Sequence, residues 1–260
     1  MAGSILEGTD GLQRSHLSSA IAFIEADRAA RMAPDEIARS FDNPAEATRL
    51  VIHNGDRVPS TDDLEKLGQL FQAVFSVNVT EGIPGVTAIP IGLENAWRNG
   101  NGRLHYFWDD LHLSTPPEAR EQLVLSSFSV GTNPAVREPV AELFRSSRHG
   151  FQGMNWTKKE FRELLRTTKF VICPPGNGPD THRSWEAIYS GAIPVVLRNH
   201  FSHELADQLP VLAVETYEDF LGLSDDSLEE IYRELSVKPR EKAYAPYWIG
   251  QLVNGSLEVE

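Results

Sequence analysis

Residues 169–197 read KFVICPPGNGPDTHRSWEAIYSGAIPVVL. KFVIC is an apolar run stopped by Pro174, Pro175 and Gly176, which reads as a strand. The segment from Thr181 to Gly191 reads as a helix, with Trp185, Ile188 and Tyr189 grouped to pack inward, and IPVVL reads as a second strand. Strand, helix and strand in succession imply parallel pairing, and hence an α/β fold. The intervening loop, with Gly176, Asn177 and Gly178, then lies at the carboxyl end of the sheet, where backbone N–H groups can meet a ligand. His182 and Arg183 fall in the first helical turn, where basic side chains oppose the helix dipole at a cost of a few tenths to ~1 kcal/mol. A bound phosphate reverses that sign. Glu186, three residues after Arg183 and four after His182, shares their face. A diphosphate on His182, Arg183 and the loop amides, with ribose hydroxyls on Glu186, describes a nucleotide site. The same spacing also describes an i,i+3 ion pair on an exposed helix.

The alternation extends outward. In the first forty residues Leu17, Ala20, Ile21 and Ile24 recur at helical spacing, and Pro34 can open a second short helix over 35–41. LVIH, ending in the turn residues Asn54-Gly55-Asp56, reads as a buried strand, and TDDLEKLGQLFQAVF as a helix with Leu64, Leu67, Phe71 and Val74 on one face. VFSVNV, VTAIPIG and LVLSSFSV are further strands, and Asn133 and Pro134 open a helix. Thr157 and Glu160 form a capping box, and Val211–Val214 with a helix from Tyr217 continue the pattern. A loop-like stretch from Glu94 to Pro117 separates two α/β halves, 1–117 and 118–260. SSFSVGTNPAVREP is a second anion-site candidate: Gly131 turns the chain, Thr132 and Asn133 precede the helix and Arg137 lies one turn on. Simple N-capping by Asn133 accounts for part of it without a ligand.

Composition narrows the classes. The 260 residues carry 37 Asp plus Glu against 24 Lys plus Arg, a net charge of −13 that repels nucleic acid and anionic lipid. Hydrophobic residues at 41% are ordinary for a globular protein, and the longest apolar runs are far too short to span a bilayer. The N-terminus lacks the basic start and apolar stretch of a signal peptide, and a single Cys, Cys173, needs no oxidising compartment. A soluble cytoplasmic protein is the expectation.

The segment VICPPGNGPDTHRSWEAIYSGAIPVVL resembles the donor-binding signature of exostosin-like glycosyltransferases, glycosyltransferase family 47 and its bacterial relatives. A small-residue loop, an Arg, a Glu-Ala pair and Gly-x-x-Pro correspond to Arg183, Glu186-Ala187, Gly191 and Pro194. Weaker likeness runs through LVIHNGD, the Asn78 region, IPIGLEN and SFSVGTNPAVR, so that the resemblance spans roughly 48–200. It implies a GT-B fold of two Rossmann-like halves with the active site between them. It also implies inverting, metal-independent transfer of a sugar from a nucleotide-diphosphate donor, UDP-sugar first, to a hydroxyl of a glycan or glycoconjugate. The partners are then the donor and the acceptor, without a cofactor, and any membrane association is peripheral and through the acceptor. On this resemblance Glu186 holds the donor ribose and Arg183 the diphosphate, with His182, Gly176, Asn177, Gly178, Thr132, Asn133 and Arg137 around the donor. The first half would supply the general base, with Asp56 ranked first, then His53 and Glu94. For His53 and Asp56 the HNGD stretch also reads as a plain turn.

A different class, a nucleotide-sugar or glycan-binding module without catalysis, fits the short chain. A Rossmann dehydrogenase fits poorly, because no G-x-G-x-x-G follows the first strand. Trp108-Asp109-Asp110 resembles the metal-binding pair of GT-A transferases, yet Asp-Asp also occurs at 62–63 and 225–226. His105, His112, His149, His200 and His203 have no zinc spacing, and Cys173 reads as a structural thiol. Tyr244, Tyr247 and Trp248 read as a tail packing back onto the first half.

Overall fold

The computed structural model describes residues 6–7, 13–14, 20–41, 45–96, 102, 106 and 117–254. Leu17, His105, Trp108, Asp109, Asp110 and His112 lie outside the described residues, as do the side chains of His200 and His203. The chain divides into two compact units, 1–91 with 245–260, and 92–244. The division near residue 117 read from composition falls inside the second of these, beside 107–116, which lie outside the described residues.

In the first unit, β1 (Leu6–Glu7), β2 (Gln13–Arg14) and β3 (Ala20–Glu25) pair antiparallel. β4 (Thr48–His53), β5 (Ala73–Ser76) and β6 (Val86–Ala88) then add in parallel, so that the sheet order follows the chain. β3 corrects the expectation of an early helix at 20–24. A run that is apolar at every position satisfies both the helical and the strand period, and here both sheet faces are at least partly covered, which favours a parallel strand. Ala22 and Ile24 are fully buried on one face, with Ile21 and Phe23 half-buried on the other. The short helices α1 (Ala26–Ala29) and α2 (Pro34–Arg39) follow, the second opened by its proline. α3 (Thr61–Leu70) is capped by the Ser60 hydroxyl, which accepts from the Asp63 N–H. It stops at Leu70, so that Val74, expected on its apolar face, lies instead in β5.

In the second unit, β7 (Gln122–Leu125), β8 (Thr168–Ile172), β9 (Ile193–Leu197) and β10 (Leu212–Val214) form a fully parallel sheet, again in chain order. Two separate sheets among the described residues overturn the alternative of one continuous sheet. α4 (Pro134–Arg145), α8 (Tyr217–Gly222) and α9 (Asp225–Ser236) cover one face, packing Phe144, Phe220 and Tyr232 on Phe170, Ile172, Ile193 and Val195. α5 (Lys158–Thr167) and α6 (His182–Tyr189) cover the other, packing Phe161, Leu165 and Ala187 on Leu125, Val171 and Cys173. α7 (His200–Gln208) joins the α6 side through Phe201, whose ring lies 6.5 Å from that of Trp185. The alternation along β8, with Phe170 and Ile172 to one side and Val171 and Cys173 to the other, is what lets one strand serve both cores.

Two buried arginines tie this unit together. Arg120, 2% exposed, donates to the carbonyls of Leu165, Thr168 and Ser190, joining the ends of α5 and α6 to the start of β8. Gly191, directly after that last carbonyl, has φ +80°, and a Cβ there would collide with the Arg120 guanidinium. Glycine is therefore required on two independent grounds. Arg137 plays the corresponding role at the other end of the sheet.

Candidate functional site

Because β7 and β8 are parallel neighbours, the loops leaving their carboxyl ends, 126–133 and 173–181, emerge side by side. Arg137 joins them. Its Nε and Nη2 donate to Pro175 and Pro174 at 3.0 and 3.2 Å, and its Nη1 donates to Ser129 at 2.8 Å. Burial, and next the Arg183 charge, lower its pKa from the usual arginine value. Asn133 occupies the N-cap position of α4 but does not cap it. Its Nδ2 instead donates to the Gly176 carbonyl at 2.8 Å, because the neighbouring loop offers a tertiary acceptor. A Cβ on Gly176 would lie 2.9 Å from Arg137 Nη2 and 3.7 Å from Thr132, so the absent side chain is what lets the loops close up. Gly178 accepts the Gly176 N–H at 2.9 Å, Asn177 is exposed between them, and Thr132 is exposed at the end of a 3₁₀ turn.

α6 begins where the second loop ends. The loop is fixed by Asp180, whose two carboxylate oxygens each accept from Trp185 Nε1 at 3.0 Å. In the first turn His182 Nδ1 lies 2.7 Å from the Gly92 carbonyl. A carbonyl can only accept, so Nδ1 carries a proton and donates it. Arg183 Nε is 3.3 Å from Glu186 Oε2, with the two side chains only 17% and 11% exposed. The ion pair read from the spacing therefore exists, but it is buried rather than on an exposed helix. Arg183 also donates to the Ser127 carbonyl at 3.2 Å and contacts Met154 Sδ at 3.7 Å, while its guanidinium carbon sits 3.8 Å from the centre of the Phe161 ring. Burial pushes the Glu186 pKa up; Arg183, His182 and Arg162 pull it back, and Glu94 pushes it further. The ionised form of Glu186 is thus costly here unless a donor or cation supports it.

Three residues absent from the sequence reading belong to this group. Phe161 and Arg162 come from α5, and Tyr106 stacks on Arg162 with 4.3 Å from guanidinium carbon to ring centre. Their positions depend on α5 packing beside α6, which no local pattern reports.

The candidate bases divide. Glu94, expected from the first half, belongs to the second unit and acts electrostatically on Glu186. His53 and Asp56 belong to the first. His53 Nδ1 accepts the Asn54 N–H at 2.7 Å, and Nε2, which must then carry the proton, faces the Pro90 carbonyl at 3.0 Å. Both ring nitrogens are committed, which leaves no lone pair for a proton. Asn54 has φ +63°, the left-handed value that asparagine tolerates in turns, and the Asp56 carbonyl accepts from Asn78 Nδ2 at 3.2 Å. The HNGD stretch is thus a built turn, whatever else Asp56 does.

No group of three or more His, Cys, Asp or Glu among the described residues is placed to hold a metal ion. Among the same residues, no helix is long and apolar enough to cross a membrane. Cys173 is buried, with its thiol pushed up to about 12 by burial, and donates to the Val171 carbonyl at 3.3 Å. At that pKa it is a packing group, not a nucleophile.

Residues 103–211 match the exostosin GT47 domain. Over 84 residues the chain is 32% identical to a probable glycosyltransferase of Arabidopsis thaliana, an alignment covering 32% of this chain and 17% of the relative. The chain thus spans well under two thirds of that relative's length. This part of the chain is exostosin-like, and the glycine loop, Arg183, Glu186-Ala187, Gly191 and Pro194 all lie inside the matched region. Of the segments with weaker likeness, SFSVGTNPAVR lies inside it, while LVIHNGD, the Asn78 region and IPIGLEN precede it.

Proposed function

We propose that the chain is an inverting, metal-independent glycosyltransferase of GT-B architecture that transfers a sugar from a nucleotide-diphosphate donor to a hydroxyl of a glycan or glycoconjugate. The observation that carries the proposal is the buried Glu186 carboxylate, presented with His182 and Arg183 in the first turn of α6, beyond a glycine loop at the carboxyl end of a parallel strand. A carboxylate held among cations at that place suits the paired hydroxyls of a ribose, and the helix N-terminus suits the adjacent diphosphate. Arg137 and Asn133 act as positioning residues that set the loop in which the Gly176 N–H closes on the Gly178 carbonyl and from which Asn177 and Gly178 face the donor. UDP-sugars are the first donors to test, and no cofactor is required by this scheme.

The acceptor hydroxyl needs a base. Asp56 is proposed first and Glu94 second, while His53 recedes because its ring holds the turn. Localisation in the cytoplasm, with peripheral membrane contact only through the acceptor, belongs to the same proposal. The test is a panel of nucleotide sugars screened for binding by calorimetry and for turnover with glycan acceptors. Binding with turnover supports the transferase, and tight binding with no turnover on any acceptor supports a nucleotide-sugar-binding module. Failure to bind any donor overturns both.

A further inference from the structure

The cations that sequence spacing puts on the diphosphate are largely occupied. Three nitrogens of Arg137 donate to three backbone carbonyls. Arg183 has Nε on Glu186, one terminal nitrogen on Ser127, the other on Met154, and one ring face on Phe161. Each of these two guanidiniums therefore has fewer than its five N–H donors left for a diphosphate, and its orientation is set by the contacts it already makes.

Arg162 differs. It is half-buried on α5, one residue after the Phe161 that carries Arg183, and its charge is felt at Glu186. Its contact among the described residues is with the face of Tyr106, at 4.3 Å. A guanidinium held over an aromatic face is restrained by a contact that uses none of its N–H donors, which stay available to an anion. That is the geometry for bidentate capture of a phosphate. Charge balance points the same way. Among the described residues, the charges that act most on Glu186 are those of Arg183, His182 and Arg162, with Glu94 opposing them, so cations outnumber carboxylates in that group.

We infer that Arg162, pre-oriented by Tyr106, is a donor-phosphate ligand of this site, with Arg183 serving mainly to position Glu186. The inference rests on the proposed nucleotide-sugar function. Its test is calorimetric titration of the whole chain with UDP and GDP, and with uridine and guanosine, comparing wild type, Arg162→Gln and Arg162→Lys. Losing one charge-assisted bidentate contact should weaken the diphosphate roughly 10- to 100-fold while changing the matching nucleoside less than about 2-fold. Lysine, which keeps the charge but not the fork, should fall between. Thermal melting establishes that each variant is folded, and should Arg162→Gln not fold, Arg162→Lys alone decides. Equal losses for nucleotide and nucleoside, or no loss for either, overturn the role of Arg162 and leave the nucleotide site standing. No binding of any nucleotide or nucleoside by the wild-type chain overturns the functional proposal itself, and this one with it.

Discussion

Replacing Glu186 with Gln removes one charge from a buried pair while conserving its volume. Breaking a fully buried ion pair by deleting one partner costs about 3–5 kcal/mol. Here three features reduce that cost. Arg183 keeps the Ser127 carbonyl and the Phe161 face, the amide oxygen can still accept from Arg183 Nε, and the variant escapes the burial penalty that raises the Glu186 pKa. The net loss should be about 1–2 kcal/mol, or roughly 2–8 °C in Tm for a chain of this size. Ligand binding should suffer more. Each ribose hydroxyl that meets a carboxylate makes a charge-assisted bond, and losing that assistance costs about 1.5–3 kcal/mol, a fall in affinity of roughly 10- to 150-fold. Because the ribose is common to both, uridine and UDP should weaken by the same factor, which distinguishes this change from loss of a phosphate contact. Calorimetry with both ligands, beside melting curves, measures it. A folded Glu186→Gln protein that binds uridine as the wild type does would refute the ribose role. The pH dependence has a definite sign. A carboxyl whose folded pKa is raised contributes stability that is fully present below its unfolded pKa and is lost as pH rises through the folded value. Wild type should therefore lose stability relative to Glu186→Gln as pH climbs above the ordinary carboxylate range, while its affinity for nucleoside rises over the same interval.

Arg183→Ala should weaken both UDP and uridine, since it releases Glu186 from its position; a loss confined to UDP, measured by the same titrations, would return the main phosphate contact to Arg183. Asp56→Asn should lower turnover about 10²- to 10⁴-fold with donor affinity nearly unchanged, as removal of a general base does; retained turnover would make Asp56 a turn residue and move the search to Glu94. Gly191→Ala should cost about 2–4 kcal/mol, combining the left-handed backbone with the clash against Arg120, and lower the melting temperature by several degrees; a neutral result would show that the Arg120 clamp yields easily.

Much of the second unit was legible because its strands are short apolar runs bounded by Gly and Pro. β8, β9 and the capping box at Thr157 and Glu160 lie where the pattern puts them. The start of the first unit was not, since residues 20–24 are apolar throughout and periodicity cannot distinguish a short buried helix from a buried strand. At the site, His182, Arg183 and Glu186 share one helical turn and could be grouped by counting. The side chains that decide what those three can do come from elsewhere in the chain. Asn133 turns from its expected cap to Gly176, 43 residues away, and Ser127, Met154 and Phe161 surround Arg183 only after β7, the 150–157 loop and α5 are assembled. Local spacing identified the charged groups, and tertiary packing decided which contacts each of them makes.

The first unit is closed by a helix from the far end of the chain. In α10 (Ala245–Asn254) the carbonyls of Leu252 and Val253 each accept from Arg49 Nη1 at 2.7 Å, so that a buried cation sits at the negative end of a helix dipole. During synthesis, β4 and its arginine leave the ribosome long before that partner exists. The second unit, continuous from 92 to 244, is complete while the first still lacks its last element. The first sheet thus takes its closing contact from residues made about 150 positions after its own last strand, and until then water takes the place of the Leu252 and Val253 carbonyls at Arg49. A chain cut back to residue 244 would carry every element of the second unit attached to a first unit without α10, a difference that limited proteolysis can detect.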